Sequence, residues 1–335
     1  MLSFKSLVLN VLGRTSGASL TELFDKTDPT VDGDDCLHDC DSCIVEYPKR
    51  FKVEQSHVLY GNIKGWSSHL LVATAKSDWV RNVANEKGSI MEALDKAHGP
   101  ENDRLMLSAS NIPTPDGSPD YSKPTCGLLL PAFVSIYNIT AKNVPQLINL
   151  VDMAPTTSSP LEPSVLPRTV SSPDPNIPVI TTKACPHNAI ILLCSHKSRD
   201  ARCGQSAPLL RKEFERHLRP LGLYRDLHDE RPGGVGIYFI SHVGGHKYSA
   251  NVIIYRRPNA FGQDDISVPK SNGEGQEHET RDGSDLGASQ CIWLARVRPE
   301  DCENLIRYTV MKGKVVKPEH QLRGGFDRAK GVMSW

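Results

Sequence analysis

One order of elements occurs twice in this chain, on either side of a segment that cannot form a core of its own. Residues 154–180, APTTSSPLEPSVLPRTVSSPDPNIPVI, are dense in Pro, Ser and Thr. Such composition reads as an extended, flexible linker. After it, Ile190–Leu193 is a short apolar run and reads as a buried strand. A helix is predicted over about 206–218, with Ser206 as N-cap, Pro208 in the first turn and Leu210, Phe214, Leu218 and Leu221 as its apolar stripe. Gly236–Ser241 and Ser249–Tyr255 read as strands, and so does Cys291–Val297. Pro299 then opens a helix with Cys302, Leu305, Ile306 and Val310 on one face. The order is β-α-β-β-α.

Before the linker the same order recurs. Leu70–Thr74 reads as a strand, Asp78–Ala97 contains a helix, Leu105–Ser110 and Leu128–Ile139 are strands, and Asn143–Val151 is a helix. Two stretches align without gaps. Residues 139–148 lie over 297–306, and LLVATAKS (70–77) lies over ILLCSHKS (191–198), with Ala73 opposite Cys194. This is a weak duplication signal. The predicted organisation is an N-terminal segment (1–55), an α/β domain (56–153), the Pro/Ser-rich linker (154–182) and a second α/β domain (183–335). A polar, Gly-rich stretch at 258–288 reads as a disordered surface insertion within the last.

Composition narrows the functional classes. The 335 residues carry 39 basic and 39 acidic side chains, a formal net charge of zero. That argues against nucleic acid or an anionic membrane as the main partner. No apolar run is long enough to span a bilayer, so no membrane insertion is expected. Nine scattered cysteines in a chain without a secretory signal fit a reducing compartment. The N-terminus has Lys5 and Arg14 and no acid before Glu22, which makes a poor mitochondrial presequence. A cytoplasmic location is therefore expected, with mitochondria as the alternative.

The chemistry concentrates in the second half. Cys194 and Cys203 stand eight intervening residues apart in CSHKSRDARCG, and His242 and His246 follow in HVGGH. Two thiolates and two imidazoles can hold an iron–sulfur cluster or a zinc ion. Cys194 and His242 fall at strand ends, where open α/β sheets gather their sites. The Gly244–Gly245 pair permits a tight turn that brings both histidines to one side. Structural zinc sites use closer cysteine spacings, which weakens but does not remove the zinc alternative.

CSHKSRDARCG followed by HVGGHKYSANVIIY resembles the signature of the sucrase/ferredoxin-like family, C-x8-C and then H-x-G-G-H. The family has fungal members. The likeness is specific across 190–256, continues to the end of the chain and is weak before the linker. It implies a thioredoxin-like ferredoxin fold in the second domain; with the duplication signal, the first domain then reads as a degenerate copy. It also implies a [2Fe–2S] cluster held by Cys194 and Cys203 on one iron and by His242 and His246 on the other. The implied function is proton-coupled, one-electron transfer in redox homeostasis, by a carrier rather than an enzyme with its own substrate. Neutral imidazoles in place of thiolates make such a cluster easier to reduce. Nothing separates out a carboxylate pair for glycoside chemistry.

Around the ligands, His196, Lys197, Arg199 and Arg202 form a basic loop that can donate to sulfides or attract an acidic redox partner. Lys247 and Tyr248 are candidates for orienting His246. Elsewhere, Cys36, Cys40 and Cys43 can bind a metal with Cys126 or His38, or form a thiol–disulfide set. The surrounding acids work against thiol reactivity, and the stretch reads as a mobile lead-in. Cys185, His187, Cys291 and Cys302 read as packing residues. GVGIYF lacks the third glycine of a dinucleotide fingerprint, so a reductase would be a separate protein. The terminal Trp335 resembles the tail by which clients dock on the cytosolic iron–sulfur assembly machinery.

Overall fold

The structure, a computed structural model, describes residues 17–97, 104–264 and 285–335. The remaining stretches hold the presequence-like N-terminus and most of the predicted insertion, so those two readings lie outside the described residues. All described strands belong to one mixed sheet of 13 strands.

In the first half, β1 (Ser68–Ala73) runs parallel to β2 (Leu105–Ser110) and antiparallel to β3 (Thr125–Leu130). β3 in turn pairs antiparallel with β4 (Val134–Ile139). The single run expected over 128–139 is thus a hairpin, broken at Pro131–Phe133 where Phe133 adopts positive φ. Two edge strands follow, β5 (Thr169–Val170) and β6 (Ile180–Ala184), with β6 pairing to β4.

In the second half, β7 (Ala189–Cys194) precedes the two-residue β8 (Tyr224–Arg225) and β9 (Val235–Ile240). β7 runs parallel to β9 and antiparallel to β10 (Val252–Arg256), which pairs antiparallel with β11 (Gln290–Leu294). The orders β4-β3-β1-β2 and β11-β10-β7-β9 are the same, strand directions included. The repeated element order is therefore a repeated topology. β12 (Leu322–Asp327) and β13 (Val332–Met333), which the sequence did not announce, continue the sheet beyond β11.

Helices cover the two halves on their outer faces. α1 (Leu20–Leu23) and α2 (Pro29–Asp32) lie in the N-terminal segment, α3 (Ile90–Lys96) and α4 (Val144–Met153) in the first half. α5 (Ala201–Leu218), α6 (Cys302–Asn304, continued by a π-helix at Leu305–Val310) and α7 (Pro318–Gln321) belong to the second. Side chains alternate across a strand, so Leu70 and Val72 of β1 pack under α3 and α4 with Leu94, Leu147 and Val151. Likewise Ile191 and Leu193 of β7 pack under α5 with Leu210, Phe214 and Leu218.

The other faces of the two half-sheets meet each other. Leu71, Leu128 and Leu130 share one buried cluster with Ile190, Leu192, Ile253, Tyr255 and Trp293. Trp66 meets Trp293 edge-on at 5.6 Å, and the buried His69 hydrogen-bonds Tyr255 Oη (3.1 Å) and Ser108 Oγ (2.9 Å). β2 and β9 also join edge to edge at Ser110 and Ile240. The two α/β units are thus fused through a common apolar layer.

Three sequence expectations need correction. The 154–182 segment is not a free tether. It supplies β5 and β6, Thr157 Oγ1 donates to Trp66 O (2.6 Å), and Arg328 donates to the carbonyls of Ser159 and Pro160. Proline is tolerated at a sheet edge, and composition alone cannot register backbone partners. Residues 17–55 are not a lead-in to the first half, for Leu23 and Phe24 sit in the core of the second. α5 begins five residues earlier than expected, because the Asp200 carboxylate caps it by accepting from Arg202 N–H (2.9 Å). Cys203 therefore lies in the first turn, and Pro208 in the interior.

Both described ends of the insertion are tied to the sheet by buried ion pairs. Arg256 binds Asp264 at 2.5 Å, and Arg257 binds Asp285. Removing one partner leaves a buried charge uncompensated. Asp285→Ala should destabilise the protein by about 3–5 kcal/mol in urea unfolding; a change under about 1 kcal/mol would show Arg257 finding other compensation.

Burial holds the His69 imidazole neutral, its pKa down to about 3 from 6.5. The unfolded chain takes up a proton near 6.5, so stability is full above that pH and falls as pH drops toward 3. At pH 5 this single group should cost about 2 kcal/mol. His69→Gln should flatten the difference between urea midpoints at pH 7 and pH 5. An unaltered difference would show that His69 protonates in the folded protein.

Candidate metal centre

β7 delivers Cys194 as its last residue, almost wholly buried, and α5 delivers Cys203 in its first turn, fully buried. The two sulfurs face each other. Cys203 S–H donates to Cys194, which together with the neighbouring His242 holds the Cys194 thiol well below its usual range. The Cys203 thiol, as donor and desolvated, is pushed up. Two buried sulfurs this close are a donor set of the kind that soft metals take. Ser249 lies beside Cys203.

His242 follows β9 by two residues and is half-buried. Its backbone N–H donates to His196 Nδ1 (3.1 Å), and His196 Nε2 reaches the carbonyls of Trp79 (3.0 Å) and Val80 (3.1 Å). His196 therefore carries its proton on Nε2 and clamps the His242 backbone to the first half of the fold. This corrects the expected role of His196 as a sulfide donor. The rest of the basic loop is also engaged elsewhere. Lys197 packs its stem against Gly204, Arg199 donates to Arg81 O (3.2 Å), and Arg202 binds Asp200 and Lys52 O.

Gly244 and Gly245 both have positive φ, as the tight turn demands, and a Cβ on Gly245 would strike the Arg323 guanidinium. His246 opens a 3₁₀ turn, His246–Tyr248, directly after the pair. Three predicted ligands, Cys194, Cys203 and His242, thus come together, and His246 sits on the same turn as His242. Tyr248 is buried, and its hydroxyl accepts from Asn62 Nδ2 (2.7 Å).

Arg323 was not singled out by the sequence. It is 2% exposed. Its guanidinium donates to Gly244 O (3.0 Å), Asn251 Oδ1 (2.8 Å) and Asn62 O (2.8 Å), and stacks over Trp293 at 4.6 Å. No carboxylate meets it among the described residues, and its Nε has no hydrogen-bond partner. Burial lowers its pKa to about 10, and the neighbouring Tyr248 and Cys194 act against that shift. A buried cation without a carboxylate partner, beside two cysteines, fits an anionic ligand set. Two thiols, an imidazole and this charge suit zinc or an iron–sulfur cluster.

His242 and Arg323 open onto a cleft of about 520 Å³ lined also by Lys64, Arg104 and Arg199. Arg104 binds only the carbonyls of Lys64 and Gly65 among the described residues. The wall beside His242 is thus basic, although the chain is neutral overall.

The remaining cysteines divide. Cys36 is buried with Tyr308 and Val316, and Cys126 S–H donates to Pro113 O (3.4 Å), so neither meets Cys40 as expected. Cys43 S–H donates to Val45 O (3.1 Å), and burial raises its pKa, which opposes thiol reactivity. Burial likewise raises Cys185, Cys291 and Cys302, as packing residues require. GVGIYF lies within β9. Trp335 does not stand free. It stacks on Trp66 with centroids 4.4 Å apart.

Comparison with known proteins places the chain. The profile of the family described as sucrase/ferredoxin-like matches residues 59–324. Actin patches distal protein 1 of Saccharomyces cerevisiae is 31% identical over 314 residues, 88% of this chain and 85% of that protein. Altered inheritance of mitochondria protein 32 of Clavispora lusitaniae is 30% identical over 131 residues, 39% of this chain and 33% of that protein. The same-named protein of Debaryomyces hansenii is 30% identical over 128 residues, 38% of this chain and 33% of that protein. No solved structure matches significantly. With a family match across most of its length, this chain belongs to the sucrase/ferredoxin-like family.

Proposed function

We propose that this protein is a one-electron carrier whose two halves are thioredoxin-like units and whose second half holds a [2Fe–2S] cluster on Cys194, Cys203, His242 and His246. The observation that carries the reading is the buried Cys194–Cys203 pair with His242 beside it and Arg323 as its uncompensated counter-charge. Bound there, the cluster supplies reversible one-electron, proton-coupled redox chemistry.

The protein's own residues set the conditions. Two thiolates and two neutral imidazoles would hold the cluster, and an electron added to it would add negative charge. Arg323 would favour that added charge, because its positive charge lies beside Cys194. Trp293, buried and stacked under Arg323, lowers the local polarity and strengthens that interaction. His196 and Arg323 fix the two ends of the HVGG turn, at His242 N–H and Gly244 O. The basic cleft at His242 suits an acidic redox partner, with the histidine side of the centre nearest to it.

All nine cysteines are free thiols, which supports a reducing compartment, and we infer the cytoplasm. Among the described residues no helix is long and apolar enough to cross a membrane. Docking on the cytosolic iron–sulfur assembly machinery through Trp335 requires that its ring leave Trp66.

Anaerobically purified protein should be red-brown and, once reduced with dithionite, give a rhombic paramagnetic signal of the mixed His/Cys type. His242→Cys should shift that signal and Cys194→Ser should abolish it. A colourless protein holding zinc at these residues would overturn the redox reading. Arg323→Gln should lower the midpoint potential while leaving cluster content intact. An unchanged potential would remove Arg323 from the electrostatics of the site.

A further inference from the structure

A second ligand set lies at the far end of α5. Cys40 of the N-terminal segment, His217 in the last turn of α5 and Glu303 of α6 bring one ligand atom each within 4.8 Å of one another. Cys40 Sγ is 3.8 Å from His217 Nε2. The three come from chain segments far apart in sequence. We propose that Cys40, His217 and Glu303 form a zinc-type divalent metal site that staples the N-terminal segment to the helical face of the second half.

Four observations carry this. First, the loop that carries Cys40 is anchored by its own hydrogen bonds. Cys40 N–H donates to Glu300 O (3.0 Å), Asn304 Nδ2 donates to His38 O (2.7 Å), and Ile44 N–H donates to Glu213 Oε1 (3.3 Å). The loop is thus held on both sides of Cys40. Second, the lone pairs already converge on a cation. Arg216 Nη2 lies 3.4 Å from Cys40 Sγ, 2.9 Å from His217 Nε2 and 2.8 Å from Glu213 Oε2. A guanidinium that donates to His217 Nε2 leaves the proton on Nδ1, so the Nε2 lone pair points at the place Arg216 Nη2 occupies, which also lies beside Cys40 Sγ. When a metal enters, Arg216 keeps its Nε bond to Glu213 (2.9 Å) and withdraws toward solvent.

Third, the donor types are those of zinc, one soft thiolate, one imidazole and one carboxylate. Cys43 is held by its bond to Val45 O, so water is left to complete the fourth position. Fourth, the C-terminus of the long helix α5 favours a cation, because its last carbonyls carry partial negative charge. The earlier expectation of a site completed by Cys126 or His38 is replaced by one whose partners sequence spacing could not reveal.

The test measures zinc and iron separately, by elemental analysis of the full-length protein, beside a zinc titration against a competing chelator. One zinc per chain is expected in the wild type and in Cys194→Ser, and none in Cys40→Ser or His217→Gln. Cobalt(II) in the Cys194→Ser protein should give a near-ultraviolet thiolate-to-metal band that vanishes when Cys40→Ser is added. Glu303→Gln, at the periphery, should weaken zinc binding by roughly 10–100-fold or more without moving the urea midpoint of the metal-free protein, and it carries the test should Cys40→Ser fail to fold. A wild type that neither retains nor takes up zinc would overturn the proposal. So would zinc that survives both Cys40→Ser and His217→Gln, or zinc lost with Cys194→Ser alone. Because iron is counted apart from zinc, failure here leaves the cluster reading untouched.

Discussion

The shared layer between the two half-sheets is the constraint on which the rest depends. Each half alone would expose one apolar sheet face, from Leu71, Leu128 and Leu130 on one side and Ile190, Leu192 and Ile253 on the other. Bringing these faces together removes both from water in one step. It also fixes where the second half's strand ends lie relative to the first half. The carbonyls of Trp79 and Val80, from the first half, are thereby placed to receive His196, which holds the His242 backbone. The first half thereby positions the backbone of a candidate ligand, His242, that belongs to its neighbour.

At the centre itself, one hydrogen bond acts in two directions. It raises the thiol of Cys203, which donates and is also desolvated, and it lowers Cys194, which accepts, against the upward push of burial. Burial also leaves Arg323 with only neutral oxygens on its nitrogens. Charge and geometry meet in the same residue, because the guanidinium that faces Cys194 also closes the turn carrying the histidines.

Much of this was legible in the residues. The β-α-β-β-α order, the strand-end position of Cys194 and the Gly-dependent turn could be read because each rests on local periodicity or on a single backbone requirement. The family likeness rests on the C-x8-C and H-x-G-G-H spacings, and the family match agrees with it. What stayed hidden depends on partners distant in sequence. Residues 154–182 look like a tether by composition, but Ile180–Ala184 meets β4 and Arg328 collects the nearby carbonyls. Arg323 carries no signal in sequence, because Asn62, Gly244 and Asn251, which surround it, are far away along the chain. Cys40 sits among acids in sequence, but in space it meets His217, 177 positions away.

The two arginine–aspartate pairs at Asp264 and Asp285 give the fold a socket. Chain leaving β10 and chain entering β11 pass fixed points on the sheet, so the strand register is set before the sequence between them matters. Doubling the length of a flexible connection costs only about 0.6 kcal/mol in closure entropy. A change in the length of chain between Asp264 and Asp285 would therefore leave the register of β10 and β11 as it is.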